Sequence, residues 1–214
     1  LHERLVRLNV ENVVLRRRLG EYQQIEGDGR LPPAQVVVAR GRIVARTQRP
    51  GRRFCELDIG AIDGVEPGMP VVLGWTLIGS IAGLQAGRSV VRQVSDVDSR
   101  VPAGLYSDQE LLAEGVLRGT GASDEAALDL IEERAGLTVA AGQQVVTAGL
   151  AGFPPGLVLG TVSEAQRGGP AGHWQVRVRL LRTAERAESL LVLREAEEVP
   201  RPEPVPGGGP GSRP

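Results

Sequence analysis

The stretch Glu56 to Leu84, ELDIGAIDGVEPGMPVVLGWTLIGSIAGL, constrains the fold most because its pattern returns once along the chain. Short apolar runs, Val71-Val72 and Leu77-Ile78, are separated by turn formers at Asp63-Gly64, Glu66-Pro67-Gly68 and Gly74. Glycine reaches positive φ without steric cost and proline presets φ, so this is a train of tight turns between short strands. A small closed β-barrel accommodates such a train; a helix or a parallel sheet does not. Further on, Val139-Ala140-Ala141-Gly142-Gln143-Gln144-Val145-Val146 matches Val65 to Val72 with the glycine and both final valines in register. Val158-Leu159-Gly160-Thr161-Val162 likewise matches Leu77-Ile78-Gly79-Ser80-Ile81, and the offset between the matches grows from 74 to 81 residues. The second stretch therefore carries a longer connecting loop, and two related strand pairs predict two similar barrels packed through a shared interface.

The expected fold is mainly β: an N-terminal coiled-coil helix followed by two small six-stranded β-barrels related by the internal repeat. Leu1, Leu5, Leu8, Asn12, Leu15, Leu19 and Tyr22 alternate spacings of four and three, an a/d seam on one side of a helix about 33 Å long. Asn12 at an a position favours a two-stranded parallel dimer, because its amide must find its counterpart across the seam. The extra apolar residues Val6, Val13 and Val14 also suit one amphipathic helix packed on its own domain. The chain starts inside this pattern without an initiator Met, and a missing upstream part is expected. Residues 1–26 form the stalk and 27–34, with Pro32-Pro33, a linker. Residues 35–105 are assigned to a first barrel completed by later strands, and 106–198 to a second barrel with connecting strands. The tail 199–214, rich in proline and glycine, has too little apolar content to order itself.

Within these units, 35–46 is a strand with a bend or bulge at Gly41, and 54–59 another, joined by an arginine-rich loop at Pro50-Gly51-Arg52-Arg53. That loop reads as a solvated hairpin tip or as a contact for an anionic partner. Residues 126–131 read as a strand, although 124–134 has helical propensity. Trp174, Val176, Val178 and Leu180 alternate with polar residues, giving one buried and one wet face. Exposed strand edges would admit a further chain by β-addition.

Chemistry is not expected. All 25 basic residues are arginine, spread along the chain and offset by 26 acids, so no basic stripe marks a nucleic-acid binder. The single cysteine, Cys55, reads as a buried thiol, and the two histidines, His2 and His173, lack a nucleophile elbow to serve. One cysteine and two histidines cannot supply a usual metal centre. Asp96 and Asp98 resemble a calcium pair without the rest of its loop. Gly119-Thr120-Gly121 lacks the lysine and hydroxyl ending of a phosphate loop. No catalytic, metal or cofactor residue is assigned.

Leu57-Asp58-Ile59-Gly60, Asp63-Gly64-Val65, Gly68 to Val72 and Leu77 to Ile81, followed by Ser95 to Ala103, resemble the core signature of the MreC family of rod shape-determining proteins. Phe153, Pro154 and Gly156 match the family's Phe-Pro-x-Gly element, while its Gly-Asp becomes Gly142-Gln143 and its Thr-Ser-Gly becomes Thr147-Ala148-Gly149. The resemblance implies a non-enzymatic scaffold of the cell-elongation complex. It implies a single-pass anchor in the cytoplasmic membrane upstream of this chain and a globular part in the periplasm or outside the cell. It further implies self-association as dimers or filaments, links to MreB and MreD, and activation of a penicillin-binding transpeptidase. The loop Phe153-Pro154-Pro155-Gly156 is the candidate contact, or else a plug for its own barrel. An export-pump adaptor is the alternative, disfavoured because one helix precedes all strands. An unusual two-barrel hydrolase is a third reading.

Overall fold

The computed structural model describes residues 35–107, 110–133, 135–168 and 172–195. The stalk helix with its seam, the linker 27–34 and the tail 199–214 lie outside the described residues. Twelve strands follow in chain order: β1 Gln35–Arg49, β2 Arg52–Leu57, β3 Pro70–Leu73, β4 Thr76–Leu84, β5 Ser89–Gln93, β6 Arg100–Ser107, β7 Glu110–Gly119, β8 Glu125–Asp129, β9 Gln144–Thr147, β10 Val158–Gln166, β11 Gln175–Leu180 and β12 Ser189–Glu195. Residues 126–131 thus begin as strand, with Ala126 and Leu128 buried and Ala127 half-buried. Short apolar positions at period two outweigh helical propensity there.

The strands run β12-β1-β2-β5-β4-β3 around one ring, which the β4–β5 and β12–β3 pairs close. A second ring runs β6-β7-β8-β11-β10-β9, closed by β10–β11 and β6–β9. Every neighbouring pair within a ring is antiparallel, and a single parallel bridge, Val158 to Thr76, joins β10 to β4. Ring closure gives each described strand a partner on both sides over part of its length, while Glu110–Gly115 of β7 pair with β6 alone among the described residues.

The expected division at residue 105 does not follow the pairing. β6 bonds to β7 and β9 and so belongs to the second ring. β12 pairs with β1 and β3 and is the later strand that completes the first ring, as expected. The irregularities of β1 also fall elsewhere than expected, between Val37 and Ala39 and between Ile43 and Ala45, on either side of Gly41. Gly41 itself faces inward, where a β-carbon would lie 2.7 Å from Ile59 Cγ1.

Two apolar clusters fill the rings. Leu57, Val71, Ile78, Ile81, Val91 and Val192 pack in the first, and Leu105, Leu117, Leu128, Val145, Leu159 and Val178 in the second. Alternation distributes β3, β4 and β12 between both: Val71 and Ile78 face the first cluster, whereas Val72, Leu77 and Leu193 face the second. These three strands are apolar on both faces because they form the wall between the rings. Cys55 is 1% exposed in the first cluster. Burial pushes its thiol up to about 12, a shift that Arg46 opposes. The expected result is that a thiol reagent at pH 8 labels Cys55 only as fast as the first ring opens, with labelling accelerating steeply near the denaturation midpoint. Rapid stoichiometric labelling of the folded protein would contradict this burial.

Candidate functional site

Three turns from different parts of the chain meet where the rings join. The β1–β2 hairpin tip brings Arg52 and Arg53, the β5–β6 connection brings Asp96 and Asp98, and the β7–β8 turn brings Gly121. Asp96 is fully buried. Its Oδ2 accepts from the Arg53 backbone N–H at 2.7 Å and lies 3.4 Å from Arg52 Nε, while its Oδ1 accepts from the Asp98 N–H at 3.0 Å. Arg52 also donates to Asp98 and lies over the Phe54 ring, 5.1 Å from its centroid. Arg53 Nε donates to Gly121 O at 2.8 Å, and Val97 N donates to Gly51 O at 3.0 Å. Neither the solvated arginine tip nor the calcium-like pair read from the sequence describes this arrangement. Positive guanidinium and backbone N–H groups occupy the sides of Asp96 that a cation would need.

Gly149 to Leu157, the longer loop of the second stretch, sits at the end of the second ring. Phe153 is half-buried against the second cluster, Pro154 is buried, and Pro155 and Gly156 are exposed. Thr147, 1% exposed, donates its hydroxyl to Pro154 O and accepts from Leu157 N–H at 2.9 Å. Val158 N donates to Trp75 O at 2.9 Å, so the β3–β4 turn of the first ring braces the loop. Leu150 stands 59% exposed on its outer side, beside Ala151 at φ 55. The loop thus combines an inward anchor, Phe153-Pro154, with an outward rim, Leu150 and Pro155. Gln143, in place of the family's Asp, accepts from Ala140 N–H at 2.9 Å and donates to Thr138 O at 3.1 Å, so that turn remains bonded.

A second feature had a weaker signal in the sequence. β7 reads ELLAEGVLRG, with adjacent apolar pairs Leu111-Leu112 and Val116-Leu117, and so presents apolar residues on both faces. Leu117 enters the core while Leu111 remains 44% exposed. β11, by contrast, alternates cleanly between Val176, Val178 and Leu180 inside and Gln175, Arg177 and Arg179 outside. Adjacent apolar pairs in a strand with one face toward water are the sequence signal for such a patch.

Among the described residues no group of three or more His, Cys, Asp or Glu is placed to hold a metal ion. His173 is half-buried and forms a β-bridge with Glu132. The described residues contain no helix long and apolar enough to cross a membrane. On the first ring, Arg42 donates its backbone N–H to Asp58 at 2.6 Å and its Nε at 2.9 Å. The backbone bond first, then the side chain, holds the Asp58 carboxyl below its ordinary value of 3.8. Because the folded group titrates lower than the unfolded one, its stabilising contribution is full above the unfolded value and drains away as pH falls through the lowered one. NMR titration of the Asp58 carboxyl carbon is expected to show this depressed midpoint. Arg42→Ala should recover only part of the shift, since the backbone donor stays; complete recovery would remove the backbone N–H as the main cause.

The model of the family "Rod shape-determining protein MreC, barrel core" matches residues 43–194, from within β1 to within β12. The chain belongs to the MreC family. A cell shape-determining protein MreC of Cereibacter sphaeroides is 33% identical over 177 residues, covering 82% of this chain and 54% of the relative. One of Listeria monocytogenes is 35% identical over 114 residues, covering 52% and 38%. The chain therefore spans about half or less of these two relatives. A solved MreC structure of Listeria monocytogenes superposes with a TM-score of 0.66 at 23% identity, covering 91% of this chain and 92% of that one. A complex between a penicillin-binding protein and MreC of Helicobacter pylori aligns at 0.57 and 17%, covering 76% and 99%. The periplasmic domain described as the cell shape-determining filament MreC aligns at 0.65 and 15%, covering 78% and 100%. At these identities the structural likenesses speak to the fold alone.

Proposed function

We propose that this chain is the globular part of a non-enzymatic scaffold of the cell-elongation complex, lying outside the cytoplasmic membrane and binding a penicillin-binding transpeptidase. The observation that carries this reading is membership of the MreC family through the barrel core, in which the Helicobacter pylori relative is solved in complex with a penicillin-binding protein. In this reading residues 1–26 form a dimeric stalk leading to a membrane anchor, and MreD and MreB-linked components bind the membrane side. Association moves the transpeptidase toward its active conformation by differential affinity for that state. Copies also associate through their barrels, as the filament description of a relative suggests. Leu150 and Pro155 are the contacts proposed for the transpeptidase, with Phe153 and Pro154 holding their loop in place.

The two rings are also proposed to be two forms of one repeat. Support comes from matching bonds: Gly68 N to Ile81 O and Gly142 N to Val162 O, both 2.8 Å, and Ile81 N to Met69 O and Val162 N to Gln143 O, both 2.9 Å. Around each ring the strands correspond in order, with β12 in the place that β6 takes in the other.

Calorimetry of the full chain, and of a form lacking residues 1–33, against the extracytoplasmic part of the same organism's elongation transpeptidase tests the binding. Binding by both forms is the expected result and places the contact on the barrels. Absence of binding by either form well above micromolar concentration would remove the transpeptidase from the reading.

A further inference from the structure

The two rings carry the same pair of side-chain types at one outward position and differ in what stands beside it. One residue beyond Gly79, Ser80 of β4 lies opposite Arg92 of β5; one residue beyond Gly160, Thr161 of β10 lies opposite Arg179 of β11. On its other side Arg179 has Glu125 of β8 as its cross-strand neighbour, whereas Arg92 has Phe54 of β2. Opposite charges placed directly across a sheet attract each other. The second ring thus supplies an acid beside its arginine from within the fold, and the first ring puts an aromatic ring in that place.

Arg92 is half-buried on the outward side of a strand whose Ser89, Val91 and Gln93 face inward. Its Nε is buried without a hydrogen-bond partner, and no acid among the described residues pairs with its guanidinium. The charges around it are otherwise engaged or positive. Glu56 lies 3.8 Å from Arg88, Arg52 is taken up by Asp96 and Asp98, Arg53 lies 3.7 Å from Glu185, and Arg49, opposite Arg52 at the hairpin end, is exposed. Arg52 also lies over the Phe54 ring and holds it in place beside Arg92. A flat apolar ring keeps water from one side of a guanidinium and so strengthens its attraction for an anion. The planar, forked donor set matches the two oxygens of a carboxylate, and the Ser80 hydroxyl on the next strand can donate to the same group.

We propose that the outer face of β2, β5 and β4 binds a carboxylate side chain from an extended acidic segment of a partner protein. Arg92 is the charged fork, Phe54 the apolar wall and Ser80 the second donor; the partner's carboxylate takes the place that Glu125 holds in the second ring. The site is independent of the transpeptidase reading, whose proposed contacts Leu150 and Pro155 belong to the other ring.

Nitrogen–proton correlation NMR of the full chain tests the site, because the Nε–H of Arg92 reports on what its guanidinium meets. Titration with the peptide Ac-Val-Glu-Val-NH2 at fixed ionic strength is expected to shift that resonance to saturation, while Ac-Val-Gln-Val-NH2 leaves it in place. Phe54→Glu, which gives the first ring an acid of its own, should lose the response with Arg92 still visible. Arg92→Gln should lose the accompanying shifts of the Phe54 and Ser80 amides, and circular dichroism melting confirms that each variant is folded. Equal shifts with both peptides, or an undiminished response in Phe54→Glu, would overturn the carboxylate site. Acetate binding as tightly as the glutamate peptide would overturn the extended segment as its source.

Discussion

Replacing Gly79 with alanine is expected to unfold much of this protein at temperatures where the wild type is intact, and Gly160→Ala to do the same. A β-carbon at Gly79 would lie 2.0 Å from Arg92 O, and one at Gly160 2.1 Å from Arg179 O. In each case the obstacle is the backbone of the neighbouring strand, across β4–β5 in one ring and β10–β11 in the other. Neither backbone can rotate aside as a side chain would, and those are the pairs that close the rings. Overpacking commonly costs about 1–3 kcal/mol, and a clash with paired backbone belongs at or above the upper end. For a protein of this size that amounts to a fall of roughly 10 °C in melting temperature. Gly87→Ala is the control, since nothing stands within 4 Å of its β-carbon position. Equal melting temperatures for Gly79→Ala and Gly87→Ala would contradict the close approach.

Asp96→Ala carries the second large effect. The carboxylate is 0% exposed and receives two backbone N–H groups besides the Arg52 charge. Removing it leaves those two part-buried N–H donors without a partner, at about 1–3 kcal/mol for each, while Arg52, 39% exposed, keeps Asp98. Asp98 binds the same arginine with its side chain 53% exposed, and solvent-screened pairs contribute about 1 kcal/mol or less. Denaturant unfolding should therefore rank Asp96→Ala far below Asp98→Ala, with Asp96→Asn between them because an amide oxygen still accepts. Similar midpoints for the two alanine variants would show that the junction is not held by the buried carboxylate.

Local chemistry wrote some of this structure plainly into the sequence. Glycine recurs at 79 and 160 in the two matching stretches, and at both positions only a residue without a side chain fits beneath the adjoining strand's carbonyl. The alternation around Trp174 to Leu180 gave β11 its inner and outer faces directly. The assignment of β6 was not legible, because nothing within Arg100–Ser107 tells the chain which ring to join; that is decided by pairing with Val145 and Val146, some forty residues on. The arginine tip and the Asp96 turn each looked ordinary alone, and their meaning lies in a contact across the fold. Phe153 and Leu150 show the same limit at the site. The loop motif singled out Phe153 and not Leu150, and only packing shows that Phe153 faces inward while Leu150 stands exposed.

β12 closes the first ring after the whole of the second has been passed along the chain. Strands β6 to β11 are continuous in sequence and can pair as soon as they emerge, whereas β1 must wait for Ser189–Glu195. During synthesis the downstream ring can therefore close first, while the flank of the upstream ring stays unpaired until β12 has been made. Any stop before Ser189 would leave β1 and β3 without their common neighbour, so even a late truncation should abolish the barrel nearest the start.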